Sequence, residues 1–152
     1  MILVLLMFIG ACAGSTGGGF KISRLLILCK AIPKQLSLVI HPREVKVIRM
    51  DGKPIDHNTL RSTNVYLAIY FFILLVSTLL ISVDNFNLTT NFTAVASTLN
   101  NIGPGLDGVG PTRNFGMYSD FSKFVLMFDM LAGRLELYPL LILFMPSLWR
   151  RK

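Results

Sequence analysis

Two short glycine-containing stretches hold the residues of this sequence whose types could do chemistry. The first, GACAGSTGGGFK, covers residues 10–21 and has five glycines within Gly10–Gly19. The second, NNIGPG, covers residues 100–105. A chain that bends through glycines can turn its main-chain carbonyl oxygens toward one point, where they can replace the hydration shell of a cation. The second stretch therefore indicates ion coordination by the backbone, and we expect no enzymatic activity.

Arg134 is a third candidate, because it lies inside an apolar segment that begins at residue 124. At about 1.5 Å per helical residue, it is roughly 15 Å into that segment. Its helical neighbours at three and four residues carry no opposite charge; they are Met130, Leu131, Leu137 and Tyr138. An arginine at membrane depth requires a partner or water. We predict that Arg134 faces carbonyls of the glycine-rich stretch, and the alternative is an ion pair with an acidic residue on another helix.

The elements that would position these residues are membrane helices. Hydrophobic residues make up 53% of the chain and charged residues 15%, whereas soluble domains carry about 25% charge. Val65–Val83 has nineteen residues without a charge, enough for roughly 30 Å of hydrocarbon. Phe124–Trp149 is a second predicted span. Residues 2–30 are predicted to form a third, which the glycine-rich stretch interrupts.

The charge distribution predicts topology. Of the fifteen Lys and Arg residues, nine lie between Lys21 and Arg61, and three form the C-terminal RRK. Basic segments that alternate with apolar spans indicate cytoplasmic loops, so the net charge of +7 does not indicate a nucleic-acid partner. The interrupted helix then runs inward, Val65–Val83 runs outward, and Phe124–Trp149 runs inward. The stretch from residue 84 to residue 122 is external.

Two linkers have structure of their own. Residues 44–55, EVKVIRMDGKPI, have β-type residues around an Asp-Gly pair, which predicts a small hairpin. Residues 89–102, TTNFTAVASTLNNI, predict a short helix, and the following GPGLDGVGP cannot continue it. A short helix and a Gly/Pro loop between two spans indicate a re-entrant pore helix with a filter loop. An ordinary external turn is the alternative for this loop.

The glycine-rich stretch has competing interpretations. A P-loop would need lysine where Phe20 stands. Residues 9–12, IGAC, are similar to a lipoprotein cleavage site before Cys12, but no basic residue precedes the apolar run. A glycine-rich face for helix packing is possible, although three consecutive glycines make a poor helix interior. We favour an unwound segment at membrane depth, which is tolerated where it is buried in protein or lines a water-filled cavity.

Four motifs together resemble the Trk/Ktr/HKT potassium uptake family, and most closely its bacterial Trk-type membrane subunits. They are GACAGSTGGGFK, HPREV, NNIGPGL and GRLE, and the resemblance covers essentially the whole chain. It implies an all-α membrane protein with a helix–pore-loop–helix repeat and a preceding broken transmembrane helix. Residues 1–30 would be the broken inner helix of the third of four repeats. Residues 31–62 would be a basic cytoplasmic linker, 63–149 the fourth repeat, and 150–152 a cytoplasmic tail. The sequence would then be a fragment, or its reading frame would start late.

The resemblance also implies roles for particular residues. The ion-binding filter backbone would consist of Asn101, Ile102, Gly103, Pro104 and Gly105, with Gly103 as the characteristic glycine. The intramembrane gate below the filter would consist of Gly10, Gly14, Ser15, Thr16, Gly17, Gly18 and Gly19, together with Arg134.

The expected function is potassium transport across the inner (plasma) membrane by a multi-pass uptake subunit. K⁺ would be bound only by main-chain carbonyls, and no cofactor is expected in this chain. The expected partners are the missing repeats of the same polypeptide, a second copy in a homodimer, a cytoplasmic nucleotide-binding regulatory subunit and the lipid bilayer. The alternative function is a small non-conducting membrane scaffold or lipoprotein.

Overall fold

The structure is a computed structural model that describes residues 2–10, 19–41, 49–50 and 53–135. Its helices are α1 (Ile2–Ile9), α2 (Ile22–Ile40), α3 (His57–Ile81), α4 (Leu88–Leu99) and α5 (Asp120–Leu135). Two short strands, β1 (Arg49–Met50) and β2 (Lys53–Pro54), lie between α2 and α3. Single 3-10 turns occupy Ser82–Asp84, Asp107–Val109 and Phe115–Met117. The helical architecture confirms the predicted all-α membrane fold.

Helix α3 is the membrane span that the uncharged run predicted. Asn58–Asp84 is the one helix, within the part of the chain that the structure describes, that is long and apolar enough to cross a membrane. Large apolar side chains such as Phe72, Leu75 and Leu79 are exposed on its surface. A helix with such a surface is compatible with lipid or with further helices, and not with water.

The first predicted span is interrupted at both ends of the glycine-rich stretch. Helix α1 ends at Ile9, and Gly10 has a φ of 70°. Gly19 and Lys21 have φ values of 92° and 64° before α2 begins at Ile22. Positive φ angles cannot continue a right-handed helix, and glycine adopts them at little cost. The predicted break is therefore confirmed, although residues 11–18 within it lie outside the described part.

Two helix boundaries differ from the predicted ones. Helix α2 continues through Pro33 to Ile40 and does not end at residue 30. Pro33 lacks only one N–H donor, and the turns on either side of it keep their own hydrogen bonds. Helix α3 begins at His57 and not at residue 63. The polar residues before the uncharged run lie inside the helix, where Thr63 Oγ1 donates to the Thr59 carbonyl at 2.9 Å.

The linker between these helices contains the predicted hairpin. Strands β1 and β2 pair antiparallel, with Met50 opposite Lys53 and Arg49 opposite Pro54. The Asp-Gly pair at residues 51–52 connects them and lies outside the described residues. The hairpin prediction is therefore confirmed by the pairing on both sides of the turn.

The short helix α4 lies at the centre of the described structure and is packed against α1, α3 and α5. Ala94, Val95, Ala96 and Leu99 are completely buried. Small side chains along α4 let the surrounding helices approach closely, as in membrane bundles. The helix predicted within residues 89–102 is thus confirmed. The last predicted span is described through Leu135, and its remainder and the tail 150–152 lie outside the described residues.

Candidate functional site

The predicted filter begins where α4 ends. Asn101 has a φ of 55° and Gly103 a φ of 109°, so the chain leaves the helix through left-handed conformations. The Asn101 N–H donates to the Thr98 carbonyl, and the Ile102 N–H to the Ser97 carbonyl, each at 3.0 Å. These amide hydrogens therefore point back to the helix end. Among the described residues, no donor reaches the carbonyls of Asn101, Ile102 or Pro104.

Gly103 is required by backbone conformation and not by lack of space. Among the described residues, no atom lies within 4 Å of the position that a Cβ would occupy. Its φ of 109° is nonetheless one that side-chain-bearing residues rarely adopt. The Gly103 carbonyl accepts a hydrogen bond from Ser97 Oγ at 2.6 Å. This bond holds the carbonyl in one direction and uses one of its two lone pairs.

The outer half of the filter loop is packed against α4. A Cβ at Gly105 would lie 2.6 Å from Val109 Cγ2 and 3.2 Å from the Thr93 carbonyl oxygen. The Gly105 N–H donates to the Val109 carbonyl at 2.7 Å, and the Leu106 N–H to Thr93 Oγ1 at 3.1 Å. Glycine at this position therefore allows the loop to lie directly on the helix.

Polar contacts also hold the outer end of α4. Asp107 Oδ2 accepts hydrogen bonds from Thr90 Oγ1 at 3.2 Å and Asn87 Nδ2 at 3.3 Å. The Tyr118 hydroxyl donates to Asn91 Oδ1 at 3.0 Å. Burial raises the pKa of Tyr118 to about 12, so this hydroxyl stays protonated and remains a donor at physiological pH.

The inner end of α4 is surrounded by the glycine-rich stretch and by α3. The Tyr70 hydroxyl donates to Asn100 Oδ1 at 2.9 Å, and Asn100 Nδ2 donates to the Ala96 carbonyl at 2.8 Å. A Cβ at Gly19 would lie 2.8 Å from Asn100 Oδ1 and 3.2 Å from Gly10 Cα. Both ends of the glycine-rich stretch therefore meet beside the residue that precedes the filter.

Helix α5 contacts the same place from another side. A Cβ on Gly133 would overlap the Leu99 carbonyl oxygen, so the two backbones are in direct contact there. Asn101 Nδ2 donates to the Met130 carbonyl at 3.2 Å. Arg134 follows Gly133 directly and is exposed. The last described turn of α5 therefore lies next to the end of α4, where the predicted filter begins.

Some predicted gate residues have no described position. Of that group the structure describes Gly10, Gly19 and Arg134, whereas Gly14, Ser15, Thr16, Gly17 and Gly18 lie outside the described residues. The predicted filter residues 101–105 are all described.

Three residues that contact the site were not among the predicted ones. Ser97 donates to the Gly103 carbonyl, and Tyr70 donates to Asn100, the residue directly before the predicted filter. Ser97 could have been noticed in the sequence, because it is a polar residue six positions before Gly103. Tyr70 is 30 residues from Asn100 along the chain, and nothing in the local sequence pattern indicates their contact.

Comparisons with known proteins identify the relatives of this chain. The TrkH family model, described as a cation transport protein, matches residues 1–151. The Trk system potassium uptake protein TrkH of Vibrio parahaemolyticus is 39% identical over 150 residues, covering 99% of this chain and 30% of that protein. TrkH of Escherichia coli strain K12 is 37% identical, covering 99% of this chain and 31% of that protein.

A solved structure has the same arrangement of helices. The crystal structure of the potassium transporter TrkH from Vibrio parahaemolyticus superimposes with a TM-score of 0.86 at 38% identity. The match covers 98% of this chain and 31% of that one. The chain thus spans about 30% of the length of the curated relatives it matches. Because the family model covers nearly every residue, the chain belongs to the TrkH family of cation transport proteins.

Proposed function

We propose that this chain is part of a potassium uptake protein and that residues 101–105 form one segment of its ion filter. The single observation that carries this proposal is the conformation of the backbone at residues 101–105. The amide hydrogens of Asn101 and Ile102 bind the end of α4, and Gly103 has a φ of 109°. This arrangement leaves main-chain carbonyls available to replace the water around a cation. The C-terminal end of α4 also carries partial negative charge, which favours a cation next to the loop.

One such loop supplies only part of a coordination shell. The resemblance to four-repeat proteins supports a pore in which three further loops come from other repeats of the same polypeptide. We therefore expect the chain alone not to conduct ions. The names of its relatives, potassium uptake proteins, support K⁺ as the transported ion. We further propose a multi-pass subunit of the inner membrane that forms a homodimer, with a nucleotide-binding regulator on its basic cytoplasmic face.

The glycine-rich stretch and Arg134 form the proposed barrier below the filter. Two observations support this role: Gly10 and Gly19 lie beside Asn100, and Gly133, next to Arg134, contacts the Leu99 carbonyl. A fixed positive charge at this level raises the energy of a passing cation. Hydrogen bonds from a guanidinium to loop carbonyls would hold the loop across the ion path.

Substitution of Gly103 tests the filter. In a full-length Trk-type protein that carries this sequence, Gly103→Ser should lower the preference for K⁺ over Na⁺ in uptake. Non-glycine residues in such conformations cost about 1–3 kcal/mol, so the backbone should relax away from the carbonyl geometry that distinguishes the two ions. The measurement is K⁺ uptake by an uptake-deficient strain at limiting K⁺, with increasing Na⁺ as competitor.

Gly116→Ser is the matched control, because Gly116 is an exposed loop glycine outside the filter. The nearest atom to its added Cβ belongs to the side chain of Asn114, which is also exposed. The control should keep wild-type competition by Na⁺. If Gly103→Ser also keeps it in well-folded protein, residues 101–105 are not the filter.

A further inference from the structure

The side-chain amide of Asn100 has a single orientation that satisfies its surroundings. The Ala96 carbonyl can only accept, so the Asn100 Nδ2 group must face it, at 2.8 Å. The oxygen Oδ1 then faces Tyr70, whose hydroxyl donates to it at 2.9 Å. Both residues are buried, with 4% and 3% of their surfaces exposed. Neither water nor rotation of the amide can easily replace these bonds, so Asn100 is held between α3 and its own helix.

The same amide oxygen determines the position of the glycine-rich stretch. It would lie 2.8 Å from a Cβ on Gly19, which is much closer than two such atoms normally approach. Gly10 Cα lies 3.2 Å from the same Cβ position. The Asn100 oxygen therefore occupies the space that a side chain at residue 19 would need, and Gly10 borders the same space.

Tyr70 contacts both elements with different parts of its side chain. Its hydroxyl binds Asn100, the residue directly before the proposed filter. The centroid of its ring lies 6.4 Å from the ring centroid of Phe20, the residue directly after Gly19. Phe20 is buried and also lies 6.2 Å from the ring of Tyr66. One side chain on the membrane-spanning α3 thus contacts the residue at the exit of the glycine-rich stretch and the residue at the entry of the filter.

We propose that Tyr70 and Asn100 are a positioning pair that sets the filter and the exit of the glycine-rich stretch as one unit. The proposal rests on the proposed filter at residues 101–105. A displacement of Gly19 would change the packing against the Asn100 side-chain oxygen. Because Asn101, which follows Asn100, is the first residue of the proposed filter, that change would reach the filter. Ion discrimination therefore depends on a hydroxyl group that touches no ion.

Tyr70→Phe tests the pair, because it removes the hydroxyl and keeps the ring that contacts Phe20. In a full-length Trk-type protein that carries this sequence, we expect the ratio of K⁺ to Na⁺ uptake to fall by about threefold to tenfold, the range that corresponds to loss of one buried hydrogen bond. The measurement is uptake of each ion by purified protein in liposomes, with size-exclusion profiles and thermal unfolding as checks of folding.

Tyr118→Phe is the matched control for stability. Tyr118 is equally buried, at 2% exposed, and its hydroxyl donates to Asn91 at the opposite end of α4 at 3.0 Å. Both variants lose a buried tyrosine–asparagine bond to the same helix, so similar falls in melting temperature are expected. Only Tyr70→Phe should change the ion ratio. The pair has no positioning role if both variants change the ratio equally, or if neither does. Absence of K⁺ uptake by the unmodified protein would instead overturn the proposed function and, with it, the pair.

A double-mutant cycle separates action through Asn100 from general loosening. Gly19→Ala adds a methyl group 2.8 Å from the Asn100 oxygen, at a φ of 92° that itself strains an alanine, and Tyr70→Phe removes the hydrogen bond to that same oxygen. If both act through this amide, their effects on the ion ratio are not additive, as for residues that share one partner. An additive double variant, with each single variant active, would contradict the proposal.

Discussion

Asp129 has a completely buried carboxyl group where α5 packs against α3. Its Oδ1 atom accepts a hydrogen bond from Ser77 Oγ at 2.7 Å. Within the described residues, its Oδ2 atom has no hydrogen-bond partner. Burial of a polar group is costly unless hydrogen bonds replace its hydration. The Ser77 hydroxyl is therefore the main described compensation for this carboxyl group.

Removal of that hydroxyl should destabilise the helix pair. We expect Ser77→Ala to lower the free energy of unfolding by about 1–3 kcal/mol, the cost of a buried polar group left unsatisfied. Thr78→Ala is the control, since Thr78 Oγ1 donates to the Leu74 carbonyl of its own helix and supports no second helix. Denaturant unfolding in detergent measures both variants. Equal losses would mean that the Ser77–Asp129 contact stabilises the protein no more than a hydroxyl bond within one helix.

At the scale of elements, α4 is held at both ends by contacts with its neighbours. Tyr118 and Asp107 bind its outer end, and Tyr70 and Gly133 contact its inner end. A short helix has little stability of its own, so tertiary contacts must supply it. The contacts of Tyr70 and Gly133 keep the C-terminus of α4 directed at the proposed filter loop. The proposed gate is made of the glycine-rich stretch and α5, which meet there.

Removal of the proposed gate should increase ion flow. Charge-assisted hydrogen bonds contribute about 1.5–3 kcal/mol each, so Arg134→Ala should raise flux about tenfold in the full-length protein. Deletion of Gly17–Gly19 should act in the same direction, while the preference for K⁺ is largely kept. Flux into liposomes that contain purified protein is the measurement.

Arg113→Ala is the matched control for charge, because Arg113 is exposed in the loop that follows the proposed filter. Its removal should leave flux close to the wild-type value. If Arg134→Ala and the deletion also leave flux unchanged in well-folded protein, the glycine-rich stretch is a packing feature. The barrier would then have to lie elsewhere in the pore.

At the scale of the whole molecule, the predicted topology places the hairpin and the proposed filter loop on opposite sides of the membrane. The basic residues predict that the β1–β2 hairpin is cytoplasmic. The only candidate span in the described part, Asn58–Asp84, lies between that hairpin and the filter loop. The loop that carries Asp107 should then face outward, and ions would enter the filter from that side.

Cysteine labelling tests this orientation. In a background without Cys12 and Cys29, a cysteine that replaces Lys53 should react only with membrane-permeant reagents. Cysteines that replace Asp107 or Arg113 should react with impermeant reagents from outside, because both residues are exposed beyond the filter. The measurement is labelling of intact cells by each class of reagent. The opposite pattern would reverse the topology and the direction from which ions enter the filter.

Local sequence patterns were enough to identify the separate elements. The uncharged run at residues 65–83 predicted the span in α3, and the glycines at 10–19 predicted the break between α1 and α2. The Gly/Pro loop after residue 102 predicted the end of α4. These features depend on hydropathy and backbone freedom, which neighbouring residues along the chain largely determine. The boundaries at Ile40 and His57 were missed, because a proline and several polar residues can be accommodated inside helices.

Only the tertiary structure showed which residues contact one another around the proposed filter. Tyr70 and Asn100 are 30 residues apart, and Asn101 and Met130 are 29 apart. The close contact of Gly133 with Leu99 is equally invisible in the sequence, where a glycine within a helix has many possible reasons. By itself, the sequence determined that a glycine loop follows a short buried helix. Its positioning by α3 and α5 depended on long-range packing, because such contacts are set by the shapes of whole helices and have no local pattern.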